Sequence, residues 1–221
     1  MKKVIKALVP VRSGSLRVTN KNLRPFAGST LLDIKINQLL RTPGLDGICV
    51  NSNDEGMLQT AAKHGVETCL RDPYFASNEI PMSEVYANMA ESMECDLILF
   101  THVTNPLATE NTYGRIIEAF WNLESGYDSV ATVSDVKDFL YLDGKALNYD
   151  PENKPRSQDL PEIVKLNHVA SVLERKTIIE RRDILGFSPD FIKLSGEECI
   201  DIDTPLDFEI AEFLYKQRTT P

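Results

Sequence analysis

A chain of 221 residues is one ordinary domain, or one with a small appendage, and is long enough to bury a core. Hydrophobic residues at 42%, charged residues at 26%, and only 11 Gly and 12 Pro exclude a disordered, collagen-like or coiled-coil chain. The formal charge of -9 opposes non-specific binding to nucleic acid or anionic membranes, so neither partner is expected, and local basic clusters stand out against it.

Lys6 to Val11 is a short apolar run. Lys6 and Pro10 interrupt it and no small-residue cleavage pattern follows, so it reads as a first strand rather than a signal peptide. Leu31 to Leu40 then has apolar residues at helical spacing, with Ser29 or Thr30 as cap and Asp33 in the first turn. Next come a strand at Gly47–Asn51, a helix from Asp54 to His64 stopped by Gly65, and a strand at Val66–Leu70. Ser83–Met93 and Glu110–Leu123 read as helices, Asp96–Val103 and Ser129–Val133 as strands. Trp121, beside Ile117 and Phe120, reads as core or interface.

Strands alternating with helices imply βαβ units, hence an α/β three-layer sandwich around a mainly parallel, Rossmann-like sheet. After Asp138 the rhythm changes. Phe139–Leu142 and Ala146–Tyr149 flank Asp143-Gly144, a two-residue hairpin turn, and the polar, proline-rich 150–161 reads as an ordered functional loop or a flexible connection. A strand at Glu197–Ile202 and a helix from Pro205 to Lys216 complete the pattern.

The apolar run Leu97–Phe100 falls far short of the about 20 residues a bilayer span needs, so no membrane segment is expected. Four scattered cysteines without a CxxC pair suit reduced thiols in the cytoplasm better than disulfides or metal ligation. In such sheets ligands bind beyond the carboxyl ends of the strands. The loop after the first strand carries Arg12, Arg17, Lys21 and Arg24 among small residues. Backbone N–H groups of Ser13, Gly14 and Ser15 could approach phosphate while the cations neutralise it, and a triphosphate fits that chemistry. On composition alone the same stretch reads as a solvated loop, and it is neither GxxxxGK[ST] nor GxGxxG. Near the other end, Asp201 and Asp203 flank Ile202; alone they read as a strand-to-helix loop with Asp203 or Thr204 as cap, or as two carboxylates on one face able to hold Mg²⁺.

Pro10-Val11-Arg12-Ser13-Gly14-Ser15, followed by Lys21-Asn22-Leu23-Arg24, closely resembles the signature of the acylneuraminate cytidylyltransferase (CMP-sialic acid synthetase) family. The likeness runs on through Asn51–Asp54, Arg71, Ser83, Asn105-Pro106-Leu107, Arg156–Pro161 and Ile200–Pro205, nearly the whole chain. It implies one nucleotidyltransferase domain over 1–221, with 138–170 an insertion for dimerisation and the sugar site. The implied reaction is attack of the anomeric hydroxyl of a nonulosonic, sialic-acid-like sugar on the α-phosphorus of CTP, giving a CMP-sugar and pyrophosphate. By that likeness Arg12, Lys21 and Asp203 are catalytic. Arg12, Ser13, Gly14, Ser15, Lys21, Asn22, Arg71 and Ser83 bind the nucleotide; Asp201 and Asp203 bind Mg²⁺; the enzyme is a homodimer.

The departures fall on the sugar side. His102 stands where the family has Gln, Lys165 and Asn167 replace an Arg-Pro-Asn-Gly segment whose glycine is gone, and Arg156 and Gln158 survive while a second arginine is Ser157. His102, Arg156, Gln158, Lys165 and Asn167 are therefore the implied sugar-binding set. The alternatives are another sugar acid or nucleotide, or a catalytically silent nucleotide-binding protein.

Overall fold

The computed structural model describes residues 2–14 and 17–219. In chain order it runs β1 (Ile5–Pro10), a short pair β2 (Pro25–Phe26) and β3 (Ser29–Thr30), α1 (Leu31–Leu40), β4 (Gly47–Ser52), α2 (Glu55–Lys63) and β5 (Glu67–Leu70). The single turn α3 (Pro73–Ala76), α4 (Met82–Glu91), β6 (Leu97–Phe100), α5 (Glu110–Trp121) and β7 (Ser129–Val136) follow. The hairpin β8 (Tyr141–Leu142) and β9 (Lys145–Ala146), then β10 (Ile163–Glu174), α6 (Arg175–Arg181), β11 (Pro189–Lys193) and α7 (Pro205–Thr219), complete it.

Seven strands form one sheet in the order β11-β7-β10-β6-β1-β4-β5. β1 pairs parallel with β4 and β6, β4 with β5, and β7 with β11, while β10 runs antiparallel between β6 and β7. Period-two alternation gives each strand two apolar faces. Ile5, Ala7 and Val9 join one core with α1, α2, α5 and α7; Leu8 joins the other with α4 and α6. This is the expected three-layer sandwich. Thr30 caps α1 by accepting from the Asp33 amide at 3.1 Å, and Asp54 caps α2 by accepting from Met57 at 2.9 Å. Asp143 and Gly144 both take positive φ, 49° and 76°, as a two-residue hairpin turn requires.

Three features depart from the sequence reading. Glu197–Ile202 is not a sheet strand: Gly196–Cys199 is a 3₁₀ turn, and the following segment crosses the sheet's carboxyl end, with the Ile202 amide donating to the Thr104 carbonyl at 2.9 Å. The sheet position is taken by β11, whose backbone register matches β7. β10 and α6 were also unforeseen as elements, because a buried antiparallel strand among parallel ones carries no alternation of its own. Trp121 is 48% exposed and is therefore not core. All four cysteines are free, and burial pushes the Cys49 thiol up to about 12. Among the described residues no helix is long and apolar enough to cross a membrane.

Candidate active site

Beyond the carboxyl ends of β1, β5 and β6 lies a cleft of about 650 Å³. Arg12, Arg17, Lys21, Asn22, Arg71 and His102 contribute its polar wall. Phe75, Ile80, Met82, Val85 and Met89, brought by α3, α4 and their connection, give the apolar side. A second recess of about 530 Å³, sharing Arg12, is lined by Ser13, Gly14, Asn20, Arg24 and Asp54. The amino-terminal loop therefore separates two openings, with Arg12 lining both.

Each cation is held differently. Arg12 donates to the Ala76 carbonyl at 3.0 Å, and the Asn22 amide returns a 3.2 Å bond to the Arg12 carbonyl. Ser13 is tied to β4's outgoing loop: its amide donates to Asn53 at 3.2 Å, and Asn53 donates back to its hydroxyl at 3.0 Å. Arg71 is buried, donating to the Asn51 side chain at 2.6 Å and its carbonyl at 3.1 Å. Burial lowers the Arg71 pKa to about 10, which leaves it charged at neutral pH. Lys21 donates to the Ile202 carbonyl at 2.6 Å. Burial lowers its pKa, and the charges of Asp201 and Asp203 oppose that.

That bond joins the two ends of the chain at one place. Ile202 is fully buried while Asp201 and Asp203 on either side are half-buried, so the two carboxylates share a face although no sheet strand carries them. Asp203 pairs with Arg17 at 2.8 Å. The helix cap falls to Thr204, whose hydroxyl accepts from the Asp207 amide at 3.2 Å, while Asp207 accepts from the Thr204 amide at 2.7 Å; the Asp203 side chain, paired with Arg17, takes no part in the cap. Burial raises the Asp201 pKa, and its Oδ1 is buried without a partner. An orphaned carboxylate oxygen beside a second carboxylate suits a hard divalent cation. Among the described residues no group of three or more His, Cys, Asp or Glu converges, so such a cation would complete its shell from phosphate and water.

The expected sugar-side residues are dispersed. His102 lines the cleft, its ring edge-on to Phe100 with centroids 5.0 Å apart. Burial first, then His168 and nearby cations, lower its pKa to about 4, so it faces the cleft as a neutral imidazole, one donor and one acceptor. Asn167 is buried and fully engaged: it accepts from Thr132 at 2.6 Å and donates to Ser134 at 3.0 Å. It fastens a bulge in β10 rather than presenting an amide to the cleft. Lys165 is exposed on β10 opposite Ser134. Arg156 and Gln158 are exposed on the turn at Ser157–Asp159, where Arg156 pairs with Asp159 at 2.7 Å. Ser83 lies in the first turn of α4 next to Met82, outside the cleft lining, and Ser15 lies outside the described residues. Arg17 was not named among the site residues, although the basic run pointed to it; His168, at the position of the missing glycine, lines a small recess with Leu166 and Leu185 beside the cleft.

The same architecture recurs in known proteins. A structure of CMP:2-keto-3-deoxy-manno-octonic acid synthetase complexed with CTP superposes with a TM-score of 0.71 at 13% identity, covering 97% of this chain and 99% of that one. Pseudaminic acid cytidylyltransferase of Campylobacter jejuni is 27% identical, with 95% of each chain covered. CMP-N,N'-diacetyllegionaminic acid synthase of Legionella pneumophila is 25% identical, again over 95% of each. The sequence profile described as Cytidylyltransferase matches residues 6–218, from the first strand through the last helix. With the cationic loop and the acid pair inside that span and joined by the bond from Lys21 to Ile202, the chain belongs to the cytidylyltransferase family.

Proposed function

We propose that this protein transfers CMP from CTP to the anomeric hydroxyl of a nonulosonic acid, releasing pyrophosphate. The observation that carries the reading is the bond from Lys21, which lines the cleft, to Ile202; it sets a triphosphate-neutralising loop against the two carboxylates that flank Ile202. Arg12, Arg17 and Lys21 neutralise phosphate oxygens; Arg71 and Asn22, anchored to strand backbone or loop, shape the nucleoside end. In a displacement at phosphorus the protein has little covalent work, so positioning and charge stabilisation dominate. Mg²⁺ on Asp201 and Asp203 supplies Lewis-acid neutralisation of the phosphates when bound. His102 as a neutral imidazole suits hydroxyl or acylamino groups better than a carboxylate.

The names of the relatives support a nonulosonic acceptor rather than a smaller sugar acid. Exposed Tyr141, Leu142 and Leu147 on the hairpin excursion support a homodimer formed through that arm. The test is pyrophosphate release from CTP with a panel of nonulosonic and octulosonic acids, with and without chelator. Turnover confined to CTP and a nonulosonic acid, abolished by chelation, is expected. Turnover with another nucleotide or acid, or CTP binding without turnover, would replace this reading with one of the alternatives.

A further inference from the structure

His168 is held in the left-handed backbone region. Its φ is 55°, where residues other than Gly are uncommon, Asn, Asp and His entering more readily than the rest. It sits where the pairing of β10 with β7 shifts register between Leu166 and Ser171. Both flanks are pinned. Thr101 donates to the Val169 carbonyl at 2.7 Å, the Ala170 amide donates to Thr132 at 3.1 Å, and the Val169 amide donates to Asn167 at 3.2 Å. These bonds over-determine the backbone and leave the imidazole itself without a hydrogen bond among the described residues. That side chain is exposed and edge-on to His102, with ring centroids 6.1 Å apart. Strain that persists under such pinning concentrates at sites where a side chain must be aimed.

We propose that His168 is a specificity-determining residue that touches the acceptor, forming with His102 a two-imidazole wall that reads the acceptor's hydroxyl and acylamino groups. Two rings nearly at right angles offer hydrogen-bonding nitrogens in two directions. Selection then comes from polar groups left unpaired when the wrong acceptor binds. The inference rests on the acceptor reading above.

The test compares wild type, His168→Gly and His168→Asn as full chains, by pyrophosphate release with CTP across the acid panel and by thermal melting. Glycine relieves the backbone at φ 55°, so His168→Gly should melt no lower than wild type. Its KM for the preferred acid should rise at least about tenfold, the worth of one good hydrogen bond, while KM for CTP stays within about twofold. The order of preference among acids should change. Asn, which tolerates left-handed φ and can hydrogen-bond, should restore part of the acceptor KM. An unchanged acceptor KM and preference in His168→Gly, or equal losses toward CTP and acid, would overturn the inference while leaving the acceptor reading intact. A wild type inert toward every acid would overturn both.

Discussion

Lys21 shows how one side chain can be both strut and reagent. A half-buried ammonium loses hydration, and here the Ile202 carbonyl and the charges of the two flanking carboxylates offset that loss. Replacing it should remove charge stabilisation worth about 10²- to 10³-fold in kcat/KM, measured by pyrophosphate release for Lys21→Ala. The lost bond to Ile202 adds on the order of 1 kcal/mol of destabilisation, so melting curves accompany the kinetics. Near wild-type turnover in a folded variant would remove Lys21 from the machinery. At this scale the sequence showed which residues were chemically suited, since Arg12, Lys21, Asn22, Arg71 and His102 do line one cleft. It could not show that Asn167 spends its whole amide on Thr132 and Ser134, because hydrogen-bond partners 30-odd residues away depend on strand register.

Helix α1 supports the floor of the site from beneath. Lys35 is wholly buried, donating to the Asn105 carbonyl at 3.0 Å and bonded to the Tyr113 hydroxyl, while Gln38 donates to the Pro106 carbonyl at 2.7 Å. Those two bonds hold the loop after β6 that carries His102. Burial lowers the Lys35 pKa from 10.5 to about 7. Between those values the unfolded chain binds the extra proton and the folded one does not, so stability rises with pH across that window. The slope from this group approaches about 1.4 kcal/mol per pH unit, and urea unfolding at pH 7 and 9 should show it in wild type and not in Lys35→Met. An equal slope in both would mean the amine stays charged when folded.

The edge of the sheet depends on one glycine. A Cβ at Gly186 would stand 2.0 Å from Asp128 and 2.5 Å from the Ser129 hydroxyl. The Asp128 carboxylate accepts from Phe187 at 2.8 Å and Ser188 at 3.0 Å, fastening the turn into β11. Gly186→Ala should therefore destabilise by about 1–3 kcal/mol in denaturant unfolding, with turnover per folded molecule unchanged. Elements with their own signals were legible: α1 from its apolar spacing and Thr30, α2 from Asp54 and Gly65, the hairpin from Asp143-Gly144. β10 and β11 were not, since their identity lies in which strands they pair with.

For the whole molecule, the hairpin arm projects Tyr141, Leu142 and Leu147 at 60%, 61% and 58% exposure, too much apolar surface for an isolated arm. Light scattering should give a dimer for wild type and a monomer for Leu142→Asp, with activity falling alongside if the arm completes a neighbour's sugar site. A wild-type monomer would end the dimer proposal. The alternation of strand and helix determined the fold class by itself, because periodicity acts locally, while the chemistry was legible through the likeness of the two clustered motifs to a known family. Tertiary structure alone decided that residues 181 positions apart share a bond, that the acid pair crosses the sheet's end instead of extending it, and that His168 is bent toward His102. Each of those depends on hydrogen bonds between segments remote in sequence, and remote pairings leave no trace in the order of the residues that make them.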